Sequence, residues 1–517
     1  DRTASNRRFD STANTLLKAT GVTLSSLDLY DFAGNPFQTL PQGVVSGIMA
    51  DCSGGQSPWG TVFTAEENVQ NFYGDLESAW TSRQQFVEGA GFDPGQNVSP
   101  NLSPDTGSDW GKISTQQGRH NLDNYGYLSE MDVFASASTH PITGVVDAMA
   151  NYYSSVADGG DGNGHMKVGS MGRARWENTT LVVDNQWKLL NNQPIVMYAG
   201  SDRRSGRIYK WVSNSNYTEG MTKGQIRALL ETGRLYAAHL ADLDNSGTGL
   251  DLANQVAPSE AAPGNGRWVH LSVDSTDIAP NAPMLGANTT VGDALKNVTW
   301  NNIGGFPDDN TVLKALFTVS NKIGVRELNR PEDLEWNPND LSGTPRLYIA
   351  FTNNGRRTAL DDNGVRFASA DQPTLAPVRE DSTGAVFVIQ EANPAMPGNS
   401  STFTFWQAWR GVRKPGDVAG LLDIENPDNI MIDQQGGVWF GTDGNISGND
   451  TSDALYYLDM DPAHKTTAVP TFGVPFRVIA GPSDSEATGP AFNSTMTTIF
   501  FSVQHPGENN VSVWPPR

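Results

Sequence analysis

The sequence has a single cysteine, Cys52, so no internal disulfide can form and cysteine usage assigns no redox compartment. It has no run of about 18 apolar residues, and no membrane span is indicated. Its seven histidines are scattered without a His-x-x-x-His spacing, which argues against a zinc site. It lacks a Gly-x-Ser-x-Gly elbow, which disfavours a serine hydrolase. Rossmann and P-loop fingerprints are missing too. Positive charge is also scarce. Lys and Arg total 35 against 57 Asp and Glu, for a net charge of −22. Nucleic acid and anionic membrane surfaces repel such a polyanion, so neither is expected as the main partner. Divalent cations, which need carboxylates, suit it. An anionic substrate would need metal or Arg to reverse the local field.

Helical periodicity is scarce as well, and the clearest patterns are 75–87 and 224–232. What is abundant is Gly, at 53, and Pro, at 30. Between these turn residues run short apolar strands at 61–64, 194–199, 206–212, 234–240, 267–273 and 346–352. More follow at 385–389, 403–409, 438–442, 455–458 and 498–503. Strand after strand between turns predicts an all-β fold. Residues 1–45 read as an N-terminal extension packing on the core. From 46 to 517 no linker-like tract appears, which favours a single domain. The chain begins at Asp1 without Met or a signal-like stretch, the expectation for a processed or trimmed product.

The lone thiol lies in the Gly-rich stretch Asp51-Cys52-Ser53-Gly54-Gly55, and the adjacent acids Glu66 and Glu67 follow after a short apolar run. The plain alternative is a packed thiol and a solvated acidic turn. Internal repetition weighs against it. Arg330-Pro331-Glu332-Asp333, ending at Phe351-Thr352-Asn353, aligns with Asn426-Pro427-Asp428-Asn429, ending at Gly441-Thr442-Asp443. Weaker copies run from Glu486 to Gln504, from Cys52 to Glu67 and from Glu177 to Asp202. Repeats of this kind predict a β-propeller, in which equivalent positions converge on a central axis. Their spacing leaves room for six large blades with insertions. Cys52, Glu177, Glu332, Asp428 and Glu486 would then form a ring. Four carboxylates in one place imply bound cations or raised pKa values. Turn acids that only bind backbone amides remain the structural alternative for any one of them.

These motifs carry a resemblance. Cys52-Ser53-Gly54-Gly55 with Pro58-Trp59-Gly60-Thr61 and Glu66-Glu67, then Met171-Gly172-Arg173 with Trp176-Glu177, come first. Arg330-Pro331-Glu332, Pro427-Asp428-Asn429 and Gln504-His505-Pro506-Gly507-Glu508 follow in order. Together they resemble the PhoX-type bacterial alkaline phosphatases over nearly the whole chain. The resemblance implies a six-bladed propeller with two iron(III) and three calcium ions in its channel. It implies hydrolysis of phosphate monoesters, and export by the twin-arginine route to a periplasmic or secreted location. It makes Cys52 an iron thiolate. It makes Glu66, Glu67, Glu177, Glu332, Asp428 and Glu486 candidate ligands of iron or calcium. It makes Arg330 the catalytic, phosphate-contacting residue. Ala65 and Trp176 stand where many members carry Cys and His, and an Asp expected near Thr495 is absent.

The chemistry suits these residue types. Calcium takes six to eight oxygen ligands. A coordinating thiol is deprotonated by its metal. Arg330 can grip a phosphoryl group through paired N–H donors, which Lys cannot match. A salt bridge to Glu332 or Glu335 is its structural alternative. Of the adjacent acids, one can face the metals while its neighbour anchors the strand. Asp202, Asp242-x-Asp244-x-Ser246 and 158–164 read as ordinary turns. A calcium-dependent lactonase or esterase propeller, or a non-catalytic calcium-stabilised binding propeller, is the rival reading. A monomer is expected, since propellers close on themselves.

Overall fold

The protein is represented by a computed structural model. It describes residues 16–24, 26, 28–30, 36–48, 50–67, 124–133, 138–139, 146–147, 152–202, 204–241, 257–282, 285–298, 305–326, 328–352, 383–411, 424–443, 452–507 and 511–513. The helix expected at 75–87 and the turn at 242–247 lie outside these residues. The helix expected at 224–232 is found as Lys223–Leu229, started by a Thr222–Gln225 capping box.

Three sheets of four or more strands carry the fold. In the first, β1 (Leu16–Thr20), β2 (Val44–Ser46), β3 (Asp51–Gln56), β4 (Val62–Glu66), β5 (Leu128–Met131) and β6 (Met166–Val168) lie in the order β2-β1-β6-β5-β4-β3. Strands from the N-terminal stretch thus complete this sheet. The second sheet joins two antiparallel meanders. One is β7 (Trp176–Leu181), β8 (Gln193–Ser201), β9 (Ile208–Tyr217), β10 (Gly233–Leu240) and β11 (Gly264–His270). The other is β12 (Pro331–Asn337), β13 (Arg346–Phe351), β14 (Ala385–Glu391) and β15 (Thr402–Arg410). They meet where Gly264 of β11 pairs with Phe405 of β15. The third sheet is the meander β16 (Pro427–Ile432), β17 (Val438–Thr442), β18 (Ala454–Leu458) and β19 (Pro475–Ala480). A final hairpin pairs β20 (Glu486–Phe492) with β21 (Ile499–Gln504).

Alternation explains why the strands read as unbroken apolar runs. On β13, Leu347, Ile349 and Phe351 enter the large core, while Tyr348 and Ala350 enter a second core with Trp409, Ile430 and Phe440. On β14, Ala385, Phe387 and Ile389 divide from Val386 and Val388 in the same way. Period-2 side-chain direction makes a sheet covered on both faces apolar at every position. This is a stack of sheets packed face to face, the architecture of a propeller.

The first strands of successive meanders, β3, β7, β12, β16 and β20, lie next to one another. They are short of apolar runs, and only residues such as Trp176, Leu334, Trp336 and Ile430 pack into the cores. They are also stapled sideways. Asn178 of β7 donates to Asp333 of β12, and Asp333 accepts from the amide of Ile430 on β16 at 3.0 Å. Asn429 of β16 in turn accepts from Thr488 of β20 and from the amide of Gly489. These buried bonds fix the spacing of the inner strands, and with it the residues they present.

Candidate metal centre

Each inner strand begins in the same way. Pairing with the second strand slips between Asp51 and Gly54, Trp176 and Thr179, Pro331 and Leu334, and Pro427 and Ile430. Such a bulge leaves a residue outside the ladder and re-aims its side chain. The first residue inside each bulge is Cys52, Glu177, Glu332 or Asp428. Two residues before, Ala50, Arg330 and Asn426 hold φ of 52°, 42° and 55°, and Asp484 before Glu486 holds 53°. Left-handed backbone at non-glycine residues is costly and collects at functional sites.

A backbone bond closes the same turn in four strands. The amides of Glu67, Asp202, Thr352 and Asp443 donate to the carbonyls of Ala50, Arg175, Arg330 and Asn426, at 3.1, 2.9, 3.3 and 3.0 Å. The residue just past each second strand is thereby held beside the inner-strand residue. The fold presents two rows of side chains, one from inner strands and one from the ends of their partners.

Seven of these side chains form one string. Ligand atoms of Cys52, Glu67 and Glu177 lie within 4.8 Å of one another, as do those of Glu177, Glu332 and Asp428, and those of Asp428, Asp443 and Glu486. Glu177 and Asp428 are shared, so the groups run on without a break. The Cys52 thiol bonds the Glu177 carboxyl, and Asp443 bonds Glu486. Cys52 is exposed as a residue, whereas Glu67, Glu177 and Glu332 are buried.

Electrostatics show the strain of this arrangement. Burial, then neighbouring acids, pushes Glu177 and Asp428 well above the usual carboxylate range. Glu332 is also pushed well up by burial, although Arg330 opposes the shift. Glu67 is pushed up to about 7 by burial and by Asp202, and Asp443 to about 7 by burial and by Glu486. The Cys52 thiol is driven upward by burial of its sulfur, then by Glu177 and Glu67. Two like charges 4 Å apart repel by roughly 4 kcal/mol at an effective dielectric of 20. A few such terms rival a protein's whole stability of about 5–15 kcal/mol. The string therefore demands protons or cations.

Arg330 lies across it. Its Nε and Nη2 clasp the two oxygens of Asp202, each at 2.7 Å, and Nη2 lies 2.7 Å from Glu332 Oε1. Burial disfavours its charge, but Glu332 and Asp202 outweigh that and hold it protonated. For Asp202, Arg330 outweighs burial and lowers the pKa. Arg175 Nη2 reaches Glu67 Oε1 at 2.6 Å.

A family model described as alkaline phosphatase PhoX matches residues 2–145 and 162–507. The chain belongs to the PhoX alkaline phosphatase family. Membership makes it a hydrolase of the phosphatase class. The chain is also similar to a solved structure, "Pseudomonas fluorescens PhoX in complex with vanadate, a transition state analogue". The TM-score is 0.61 at 21% identity, covering 97% of this chain and 72% of that one. At such identity the likeness speaks for the shared propeller-type fold. No curated protein matches the chain.

In this chain, six of the residues singled out as ligands come together: Cys52, Glu67, Glu177, Glu332, Asp428 and Glu486. Glu66 does not join them. It is the last residue of β4, and its carboxylate is taken by Lys167 Nζ at 2.6 Å and by the amides of Gly126 and Tyr127. Strand alternation sends the two adjacent acids to opposite sides. Arg330 forms the ion pair with Glu332 that stood as its structural alternative, and a second one with Asp202; Glu335 instead accepts from Thr180. Asp202 reads from the sequence as a turn residue, and Asp443 as the end of a repeat without a site role. Their signal was positional, since both follow a second strand as Glu67 does.

Proposed function

We propose that this chain hydrolyses phosphate monoesters at a cluster of multivalent cations held by the string from Cys52 to Glu486. The observation that carries the reading is the unbroken sharing of Glu177 and Asp428 between three ligand groups. The residues fit such ions. Asp428 Oδ1 is buried without a hydrogen-bond partner among the described residues, an expensive state that a cation would relieve. The donors are carboxylate oxygens, which hard cations prefer, with one thiolate at the Cys52 end. Cys52, Glu67 and Glu177 would hold iron(III), and Asp428, Asp443 and Glu486 would hold calcium, with Glu332 between. The two iron and three calcium ions of the resemblance belong to this reading.

When bound, the cations would supply positive charge and Lewis acidity for phosphoryl transfer to water. The chain's own residues do the rest. The stapled inner strands hold the carboxylates in place before substrate arrives. Asp202 and Glu332 clasp Arg330 from two sides and aim its guanidinium across the string. In that place Arg330 would bind phosphoryl oxygens through charge-assisted N–H bonds. Export to a periplasmic or secreted location goes with the same reading. Among the described residues no helix is long and apolar enough to cross a membrane.

Metal analysis with a visible spectrum, together with turnover of p-nitrophenyl phosphate, tests the proposal. Iron, calcium, a charge-transfer band and activity lost to a calcium chelator are expected. A colourless, iron-free preparation with full activity would overturn the iron assignment. Insensitivity to chelation would overturn the mixed cluster.

A further inference from the structure

Arg175 and Arg330 are the same residue of two adjacent repeats. Each stands two positions before an inner-strand acid, in Arg175-Trp176-Glu177 and Arg330-Pro331-Glu332. The carbonyl of each accepts the amide that closes its own turn, from Asp202 at 2.9 Å and from Thr352 at 3.3 Å. Each guanidinium then reaches back to the acid that ends the second strand of the preceding repeat. Arg175 takes Glu67 at 2.6 Å, and Arg330 takes Asp202 at 2.7 Å. Glu67 and Asp202 hydrogen-bond each other. Two guanidinium groups therefore flank one carboxyl pair, beside a string of ligands that bears no other clasped arginine among the described residues.

Exposure separates this pair from the fully buried clasped cations. The side chains of Lys167, Lys210 and Arg227 are 0%, 1% and 0% exposed, so they are structural ties inside the core. Those of Arg175 and Arg330 keep 23% and 29%. Both present a surface beside the ligand string that an incoming anion can touch. A phosphate monoester has three non-bridging oxygens and up to two negative charges. One edge of a planar guanidinium pairs with two oxygens, so a second guanidinium adds donors for the third oxygen of a phosphoryl group.

We propose that Arg175 is a second substrate-contacting residue, which binds the phosphoryl group of a phosphate monoester together with Arg330. This rests on the phosphatase reading above. Trp176 supports the placement. It is buried, donates from Nε1 to the carbonyl of Gly172 at 3.0 Å and packs edge-on against Tyr209, which fixes the backbone between Arg175 and Glu177.

The test uses purified, metal-loaded protein as wild type, Arg175→Ala, Arg175→Lys and Arg330→Ala. KM and kcat for p-nitrophenyl phosphate, the inhibition constant of inorganic phosphate and the metal content are measured for each. For Arg175→Ala, KM and the phosphate inhibition constant should rise together by roughly 10- to 100-fold, the worth of a hydrogen bond to a charged group. Metal content should stay at the wild-type level, and Arg175→Lys should recover part of the loss. Unchanged KM and unchanged phosphate inhibition in either Arg175 variant overturn the proposal. So does a loss that only follows loss of metal, since Arg175 would then merely position Glu67. A wild-type protein that neither cleaves the ester nor binds phosphate overturns the phosphatase reading itself, a result distinct from one confined to the Arg175 variants.

Discussion

Asn178 and Asp333 occupy equivalent positions on neighbouring inner strands, one residue after Glu177 and Glu332, and the amide of one donates to the carboxylate of the other. The residue after Glu177, Glu332 and Asp428 thus joins strand to strand, while the acid itself faces the string. Asp333→Ala would strand the amide of Ile430 in a buried layer and cut the link to Asn178, whose side chain would keep only its bonds to Leu334. Loss of about 3 kcal/mol is expected. Denaturant unfolding measures it, and an unchanged midpoint would refute the stapling role.

Ala50 accepts the amide of Glu67 while holding φ at 52°. An alanine in left-handed backbone is strained by about 1 kcal/mol, and glycine is not. Ala50→Gly should therefore stabilise the protein by up to about 1 kcal/mol, although it removes a methyl group. A lower melting temperature in the variant would count against the strain.

Cys52 is exposed as a residue and packs in neither core cluster. Cys52→Ala should leave the metal-free melting curve unchanged. In the metal-loaded protein it should abolish the charge-transfer band. Turnover should fall by at least about 100-fold, since even an outer-shell partner of a metal costs 10- to 100-fold. Full activity in the variant would reduce the thiol to packing.

His165 is buried and accepts the amide of Asp132 at Nδ1, at 3.0 Å. Burial pushes its pKa down to about 4, with Asp132 opposing and Arg227 adding to the shift. The unfolded side chain takes a proton near pH 6.5. Its contribution to stability is therefore present above about pH 6.5 and is lost as pH falls toward 4. His165→Gln should flatten the decline of melting temperature across that window. An equal slope in both proteins would show that His165 does not drive it.

Much of this was legible without coordinates. Runs such as 346–352 and 385–389 are too short for helices and lie between turn residues, so strand was the only economical reading. The repeat of an acid before a strand and an acid or amide after it placed Cys52 in register with Glu177, Glu332, Asp428 and Glu486. Local chemistry sufficed there, because a turn and the strand it starts are written in consecutive residues.

Other decisions depended on contacts far apart in sequence. Glu66 and Glu67 are the same residue type side by side, and only the pairing of β4 shows that Lys167 takes the first while the second joins the thiol. Asp202 looked like a turn residue and Asp443 only like the end of a repeat, until amide bonds to Arg175 and Asn426 drew them beside the inner strands. Apolar runs and turn residues revealed the outer strands and the repeating acid position, but not the polar inner strands. Which acids stand side by side was settled only on folding, because a carboxylate's partners are set by how adjacent sheets pack, and no local rule of spacing carries that.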